Sequence, residues 1–357
     1  MTQKDDYQLN HAAVYFYAGV YDDGYVYMAE IDTNLLLRLD IQNRGVDIVD
    51  SLKNAGIDCC GILKRNNKII VSYRDKSSEM MVNSSGNDWV KKDIDYCGSF
   101  ENNQAYEFKE SLFVLDKDFG IKKFDAEFNN INNFAFPDGA VGIQASRISE
   151  TKIAIVTENS KVIEFDLSTE KVTELELPQK IDDIETICHD GENYWFTTYN
   201  WEIIRVNLHN KDIQRYPMPE KLTNIENQKD KRRFEKSFFY KGKIWVIPFY
   251  ASNIMLISTQ DGNAELIRLE ETEQTECIEM TRRNSMQYIS VFCEQGILLL
   301  SCVTQRIYYL DAEDGRVERL DLHSIWRKKD ISRFGVINEG LLGINIKQFL
   351  NAVVGGE

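Results

Sequence analysis

Eight short stretches of this chain resemble one another and recur at intervals of 41 to 54 residues. Each is a strand-like apolar run, and they occupy residues 24–30, 67–73, 110–116, 151–157, 192–198, 242–248, 296–302 and 340–346. A unit repeated at such a period cannot bury its apolar face alone, and it does so by packing against its neighbours in an array. The period therefore constrains the fold more strongly than any other feature of the sequence.

The fifth repeat shows the predicted unit most clearly. Four strand-like runs follow one another at 184–189, 194–197, 202–208 and 213–218, and Asp190 and Gly191 form a turn between the first two. The third run recurs in six other repeats, usually before a turn rich in Asp, Asn, Ser or Gly, which are residues that tolerate left-handed geometry. These patterns predict an all-β fold, a single-domain β-propeller of four-stranded antiparallel blades that spans residues 1–357.

The number of blades depends on the last repeat, which is shorter than the others. Seven repeats have all four runs, whereas 333–353 has two and a short third. We favour eight blades, with seven as the alternative, within the range of this architecture. In the eighth blade, residues 7–9 would supply the missing outer strand beside 340–353, because such a closure removes exposed strand edges.

Composition limits the environment and the partners. The N-terminal sequence is polar, and no segment approaches the ~18 uninterrupted apolar residues of a membrane span. Seven cysteines without ligand spacing fit a reducing compartment, so we expect a cytoplasmic protein with no membrane partner. The formal net charge of −15 opposes general nucleic-acid binding. We expect no cofactor and no metal ion.

One blade resembles a known family. The segment 194–219 contains Trp195-Phe196-Thr197, then Arg205-Val206-Asn207, then Tyr216-Pro217-Met218-Pro219. It resembles a blade of the virginiamycin B lyase-like propellers, whose repeats run from a WFT-type strand through an R-[ILV]-[DN] strand to a Y-x-[LM]-P end. That family uses a histidine with nearby acidic residues and a divalent ion near the centre of the ring. This chain has four histidines and no H-x-E constellation, so the resemblance implies the fold and not the activity.

The candidate catalytic residues are Glu185 and His189. They are four residues apart on a predicted inner strand, so a period of two puts them on one face. A metal site or an acid/base pair in the central channel is one interpretation. The alternative is a structural histidine, hydrogen-bonded at the turn that follows it.

Candidate ligand-binding residues collect on one predicted face. In a propeller, the connections between blades lie on the same face as the turns between second and third strands. Three connections are basic at 229–233, 282–283 and 327–333, and the turns carry aromatic and basic residues. The candidates are Arg74, Tyr199, Trp201, Arg232, Arg233, Tyr250, Arg282, Arg283 and Arg327. The basic residues suit a phosphate, a carboxylated sugar or an acidic protein segment; alternatively they are solvated loop residues.

Two classes of function fit these observations. The first is a binding or scaffold module that presents the basic, loop-rich face to a partner protein, an anionic small molecule or a glycan. The second is a lyase or hydrolase-like enzyme with its site at the channel mouth, acting on a glycan, peptide or cyclic metabolite. The fold alone does not choose between them.

Overall fold

The computed structural model describes most of the repeats. The described residues are 6–8, 16–30, 35–51, 59–65, 68–73, 79–83, 89–93, 104–116, 120–219, 233–248, 253–269, 288–294, 296–301, 307–311, 316–320 and 323–327. They form thirty β-strands and one short 3₁₀ turn, Pro137–Gly139. No helix among them is long and apolar enough to cross a membrane.

Six sheets are four-stranded, antiparallel and built from consecutive strands. They are β6 (Cys59–Arg65), β7 (Lys68–Tyr73), β8 (Glu79–Asn83) and β9 (Trp89–Asp93); β10 (Ala105–Phe108), β11 (Ser111–Asp116), β12 (Gly120–Phe124) and β13 (Asn130–Phe134); β14 (Gly142–Arg147), β15 (Lys152–Thr157), β16 (Val162–Asp166) and β17 (Lys171–Glu174); β18 (Ile184–His189), β19 (Tyr194–Thr198), β20 (Glu202–Asn207) and β21 (Asp212–Pro217); β22 (Phe234–Tyr240), β23 (Lys243–Pro248), β24 (Asn253–Ser258) and β25 (Ala264–Arg268); and β26 (Tyr288–Cys293), β27 (Gly296–Ser301), β28 (Ile307–Asp311) and β29 (Val317–Leu320).

The remaining sheet has six strands and contains both ends of the described chain. Its strands are β2 (Phe16–Asp22), β3 (Tyr25–Glu30), β4 (Leu35–Asp40) and β5 (Gly45–Ser51), extended by β30 (His323–Arg327) and β1 (Asp6–Gln8). Strand β30 runs parallel to β5, and β1 pairs with β30 in antiparallel register. The N-terminal strand is therefore an added outer strand, as expected, but its partner is β30. The expected partner, 340–353, lies outside the described residues.

Apolar clusters between neighbouring sheets close the ring. Each sheet packs its buried side chains on the next, and Val26 and Met28 of the first sheet pack against Val291 and Leu298 of the last. The contact is close, because a Cβ on Gly19 would lie 2.8 Å from Leu300 Cδ1. No gap remains there for a further blade. Among the described residues, the favoured count of eight blades is therefore wrong. The alternative of seven four-stranded blades is not found there either, since six sheets are four-stranded and one is six-stranded.

Asp- and Asn-centred turns join the third and fourth strands of several blades. Asp40 accepts a hydrogen bond from Asn43 N, Asp166 accepts from Ser168 N and Thr169 N, and Asn207 accepts from His209 N and Asn210 N. Such side chains replace missing backbone partners in tight turns. The turn pattern predicted from the sequence is confirmed at these positions.

A β-bulge recurs at the start of the inner strands. The register shifts at the second residue of β2, β6, β14, β18 and β22, so the extra residues of these bulges are Tyr17, Cys60, Ile143, Glu185 and Glu235. A bulge bends the strand and redirects its side chains. Five inner strands are thus irregular at the same end, where the chain arrives from the previous blade.

Candidate functional site

The connections between blades and the turns between second and third strands meet on one face, which we call the mouth face. In the fifth blade, Tyr199 N in the β19–β20 turn donates to Asp183 O, in the connection before β18, at 2.9 Å. In the same turn, Trp201 places its ring 4.2 Å from the guanidinium carbon of Arg233, which precedes β22. The predicted coincidence of these loops on one face is confirmed here.

Glu185 occupies the bulge of β18 and is buried. Its Oε1 accepts hydrogen bonds from the backbone N–H groups of Arg233 and Phe234, the second at 2.7 Å. Its Oε2 lies 3.2 Å from Arg233 Nη2. Burial raises the pKa of Glu185, whereas the charge of Arg233 and the two N–H groups oppose that rise. The carboxylate therefore holds the first residues of β22 against the fifth blade.

Arg233 is the largest correction to the predicted site. It was expected on an exposed basic loop, but only 1% of it is exposed, and it forms the buried partner of Glu185. Its Nη2 also donates to Thr198 O. Its Nη1 is buried and has no hydrogen-bond partner. Such an unsatisfied donor costs about 1–3 kcal/mol of stability, so another interaction must offset it.

Trp201 packs its ring on Arg233 and is itself 43% exposed. Its backbone is left-handed, with φ of 65°. This geometry costs a residue with a side chain about 1–2 kcal/mol. Trp201 N donates to Thr198 O at 3.2 Å, and Trp201 O accepts from Met218 N at 3.0 Å. The surrounding backbone thus holds an exposed indole in a strained turn, and strain of this kind collects at functional sites.

The other predicted ligand-binding residues have mixed outcomes. Tyr199 is half-buried beside Trp201. Arg327 was expected in a connection on the mouth face, but it ends β30 and pairs with Asp6, four strands from the inner strand β2. The remaining candidates lie outside the described residues, and they are Arg74, Arg232, Tyr250, Arg282 and Arg283.

Glu185 and His189 do not form a pair. The bulge at Glu185 breaks the alternation on which their shared face depended, and His189 ends the same strand ~13 Å further on by strand geometry. Gly191 N donates to His189 Nδ1 at 3.1 Å, and the Tyr194 ring packs 4.7 Å away. Burial lowers the pKa of His189 against the charges of Asp190 and Glu164. The structural alternative, a hydrogen-bonded turn histidine, is the correct one.

Gln144 is a residue of this region that the sequence analysis missed. It follows the bulge of β14, and its side chain accepts from Ile187 N of β18 at 3.0 Å and donates to Glu235 O of β22 at 2.7 Å. Thr186, at the matching position of β18, bonds Thr197 at 2.8 Å. Alignment of the repeats would have shown these polar residues at one position of otherwise apolar strands.

Metal ligation has no support in the part of the chain that the structure describes. No group of three His, Cys, Asp or Glu side chains there could hold a metal ion. The buried Cys188 has its pKa raised to about 12 by burial, so it is a poor ligand and a poor nucleophile at neutral pH.

Solved structures share the fold. No protein-family model and no curated protein sequence matches the chain. A catalytically inactive virginiamycin B lyase from Staphylococcus aureus, solved with quinupristin, is 13% identical with a TM-score of 0.57, covering 85% of this chain and 96% of the lyase. PorZ, a surface component of the type-IX secretion system of Porphyromonas gingivalis, is 9% identical with a TM-score of 0.57, over 87% of this chain and 39% of PorZ. The extracellular domain of a one-component system from B. thetaiotaomicron is 12% identical with a TM-score of 0.52, over 89% and 42%.

These similarities define the class of protein. The chain forms a β-propeller, and the resemblance of 194–219 to the virginiamycin B lyase-like propellers is confirmed at the level of the fold. Identities of 9 to 13% support the fold alone.

Proposed function

We propose that this protein is a binding or scaffold module, and that its mouth face receives a partner protein, an anionic small molecule or a glycan. We further propose that it acts in the cytoplasm and binds neither nucleic acid nor membranes, on the grounds of charge and sequence given above. The propellers with this fold include a lyase, a secretion component and the extracellular domain of a one-component system, so the proposal depends on the site and not on the fold.

The observation that carries the proposal is the exposed Trp201 on its buried support. Tryptophan offers a large flat surface at a low entropic cost and is enriched at the centres of interfaces. Here the Glu185–Arg233 pair holds it from below, and the turn from Thr198 to Trp201 holds it from the side. A rigid aromatic surface of this kind loses little freedom when a partner covers it.

The enzyme alternative has less support. Its two candidate residues are separated along β18, and Glu185 already accepts two backbone hydrogen bonds and pairs with Arg233. A general base must be within hydrogen-bond reach of the proton that it takes. Among the described residues, no observation favours a lyase or hydrolase over a binding module.

The test compares two exposed aromatic residues on opposite faces of the propeller. Trp201 is 43% exposed on the mouth face, and Phe292, near the end of β26, is 42% exposed. The wild-type protein and the variants Trp201→Ala and Phe292→Ala would be immobilised and exposed to extract of the source organism. The retained proteins and metabolites would then be quantified by mass spectrometry. We expect Trp201→Ala to retain at least about tenfold less of the partner than wild type, as for a hot-spot residue, and Phe292→Ala to retain as much as wild type.

Equal retention by wild type and Trp201→Ala would contradict the proposal. Melting curves of both variants serve as the control, because a loss caused by unfolding would lower the melting temperature as well.

A further inference from the structure

An aromatic patch lies on the face opposite the mouth face, where β22 and β26 end. Phe292 of β26 places its ring centroid 4.4 Å from that of Phe238 and 6.5 Å from that of Tyr240, both in β22. Phe292 is 42% exposed, and the other two are half-buried. We call these three residues the aromatic patch. It joins two neighbouring blades at the surface of the propeller.

The core beneath the aromatic patch is already filled. Phe238 and Tyr240 pack on a buried cluster that includes Trp245 and Tyr308. Phe292 meets Phe238 at an interplanar angle of 73°, which is a favourable edge-to-face geometry for an aromatic pair. The exposed part of Phe292 therefore has no place in the core. Contiguous apolar surface that stays exposed is typical of interaction sites.

Lysine side chains border the aromatic patch. Lys236 Nζ lies 5.7 Å from the centroid of the Phe292 ring, and Lys241 Nζ lies 5.8 Å from that of the Tyr240 ring. Lys243 pairs with Tyr240 across the β22–β23 hairpin, so the two side chains share one face of the sheet. Lys241 and Lys243 are exposed. In the part of the chain that the structure describes, no carboxylate forms an ion pair with Lys236 or Lys243.

The β22–β23 turn fixes two of these lysines in place. Lys241 and Gly242 both have positive φ, 46° and 77°. Positive φ at both central residues is typical of a type I′ turn, the tightest connection of a β-hairpin. The turn therefore holds the exposed ammonium groups beside Tyr240, and a partner would not have to order a long loop in order to use them.

The local charge at the aromatic patch has the opposite sign to that of the whole protein. The formal net charge is −15, but the three lysines outnumber Glu294, which follows β26. Asp311 and Arg316 act on the neighbouring Tyr309 in opposite senses, so they balance each other. At physiological ionic strength, fields fade over ~8 Å. A short segment that lies on the patch therefore meets a positive surface.

We propose that the aromatic patch is a second interaction surface, and that it binds an extended acidic segment of a partner protein. An apolar side chain of the segment covers the exposed part of Phe292, and the carboxylates on either side of it meet Lys241 and Lys243. This surface is separate from the mouth face, so the inference goes beyond the proposed function.

Charge selects this occupant over the alternatives. A basic segment would be repelled by the lysines. An uncharged apolar segment would cover ammonium groups without pairing them, which costs free energy. A second copy of this chain, related by a two-fold axis, would bring the same lysines face to face. The segment touches only exposed or half-buried groups, because Lys236 attracts it from behind the Phe292 ring without direct contact.

The experiment uses the peptide acetyl-Asp-Glu-Phe-Asp-Glu-amide as the probe. Two matched peptides replace either its four acidic residues by Asn and Gln or its Phe by Ser. Binding to the full chain is measured by saturation-transfer difference NMR at low and at physiological ionic strength. We expect saturable binding of the acidic peptide at low salt, with a dissociation constant on the order of 1 mM. Both matched peptides should bind at least about fivefold more weakly, and added salt should weaken only the acidic peptides.

Three protein variants locate the surface. Phe292→Ala should weaken the acidic peptide at least about tenfold, as for an aromatic hot-spot residue. Lys243→Glu should weaken it about threefold, since an exposed charge contributes less. Trp201→Ala changes the mouth face and should bind the peptide as wild type does. Lys243→Glu alters only an exposed side chain, so it still tests the surface if Phe292→Ala does not fold.

The inference is overturned if wild type does not bind the acidic peptide saturably, or if the Asn and Gln peptide binds as tightly. It is also overturned if neither Phe292→Ala nor Lys243→Glu weakens binding, or if Trp201→Ala alone does, because the peptide would then occupy the mouth face. Failure of the proposed function looks different: Trp201→Ala would retain the mouth-face partner, and the peptide measurements would not change.

Discussion

The two ends of the fifth blade are both polar, but they are built from residues at very different separations. At the end away from the mouth face, Asp190 accepts hydrogen bonds from Glu192 N, Asn193 N and Trp195 Nε1, all within five residues. At the mouth face, Glu185 binds Arg233, 48 residues further along the chain. One end is a local turn, and the other is a long-range contact between two blades.

The pKa values of the two carboxyl groups shift in opposite directions. Burial raises the pKa of Asp190, but its bonds from Asn193, Trp195 and Glu192 outweigh this and lower it overall. For Glu185, burial outweighs the charge of Arg233 and the two N–H groups, so its pKa is raised. A local turn provides hydrogen bonds to a carboxylate at a small cost in desolvation free energy. A buried ion pair between blades costs more, because both charges are removed from water.

The largest expected effect is at Glu185. Glu185→Ala leaves the buried Arg233 guanidinium without its counter-charge, and we expect a loss of about 3–5 kcal/mol in the free energy of unfolding. Urea denaturation measures this loss. The matched control is Glu202→Ala, because the Glu202–Arg215 pair of the same blade is half-exposed and should contribute less than about 1 kcal/mol.

Equal losses of unfolding free energy for Glu185→Ala and Glu202→Ala would show that the buried pair between blades contributes no more to stability than the half-exposed pair. The double variant Glu185→Met/Arg233→Met should recover much of the loss, because it removes both charges together.

A smaller effect is expected at the local turn. Asp190→Ala removes the acceptor of four donors, including the indole of the buried Trp195, and should cost about 2 kcal/mol. Asp261→Ala is its control, since Asp261 serves an exposed turn around Asn263 and should cost about 1 kcal/mol or less. If the two variants unfold at the same urea concentration, the bond to Trp195 contributes nothing.

The strain at Trp201 can be measured with two small residues. Both Trp201→Gly and Trp201→Ala remove the indole, but only glycine adopts φ of 65° without cost. We therefore expect Trp201→Gly to be the more stable of the two by about 1 kcal/mol in urea denaturation. An alanine variant that is equally stable would mean that the turn relaxes once the indole is gone.

The smallest effect concerns pH at His189. Burial lowers its pKa in the folded state, so the folded protein favours neutral imidazole, whose Nδ1 accepts from Gly191 N–H. The unfolded state takes up the proton more readily, so stability falls as pH drops below about 6.5. His189→Gln should reduce this fall by less than about 1 kcal/mol, because the residue is only half-buried. Denaturation at pH 5.0 and 7.5 would measure it, and identical pH profiles would exclude a contribution from His189.

The architecture was largely predictable because its signals are local. The repeated apolar runs mark the second strands, and Asp- and Asn-rich turns mark the hairpins, so blades such as β18–β21 follow from the sequence. The number of blades did not follow. It depends on the direct packing of Val26 and Met28 on Val291 and Leu298, a contact between opposite ends of the chain.

The candidate site was only partly predictable, for a related reason. The repeat pattern put Trp201 and Arg233 on one face, and the structure brings them together. The pattern treated Arg233 as an exposed loop residue, however, because its partner Glu185 lies 48 residues earlier in the sequence. Strict alternation along the strand predicted that Glu185 and His189 share one face, and the bulge of β18 breaks that alternation.

The sequence by itself determined what neighbouring residues decide: strand periodicity, hairpin turns such as that of Asp190, and the polarity of each loop. Only the tertiary structure decided which blades close the ring, that Arg233 is buried against Glu185, and that Trp201 lies over the pair. The physical reason is that hydrogen bonds within a turn form over a few residues. A buried charge requires a partner that the fold brings from another blade.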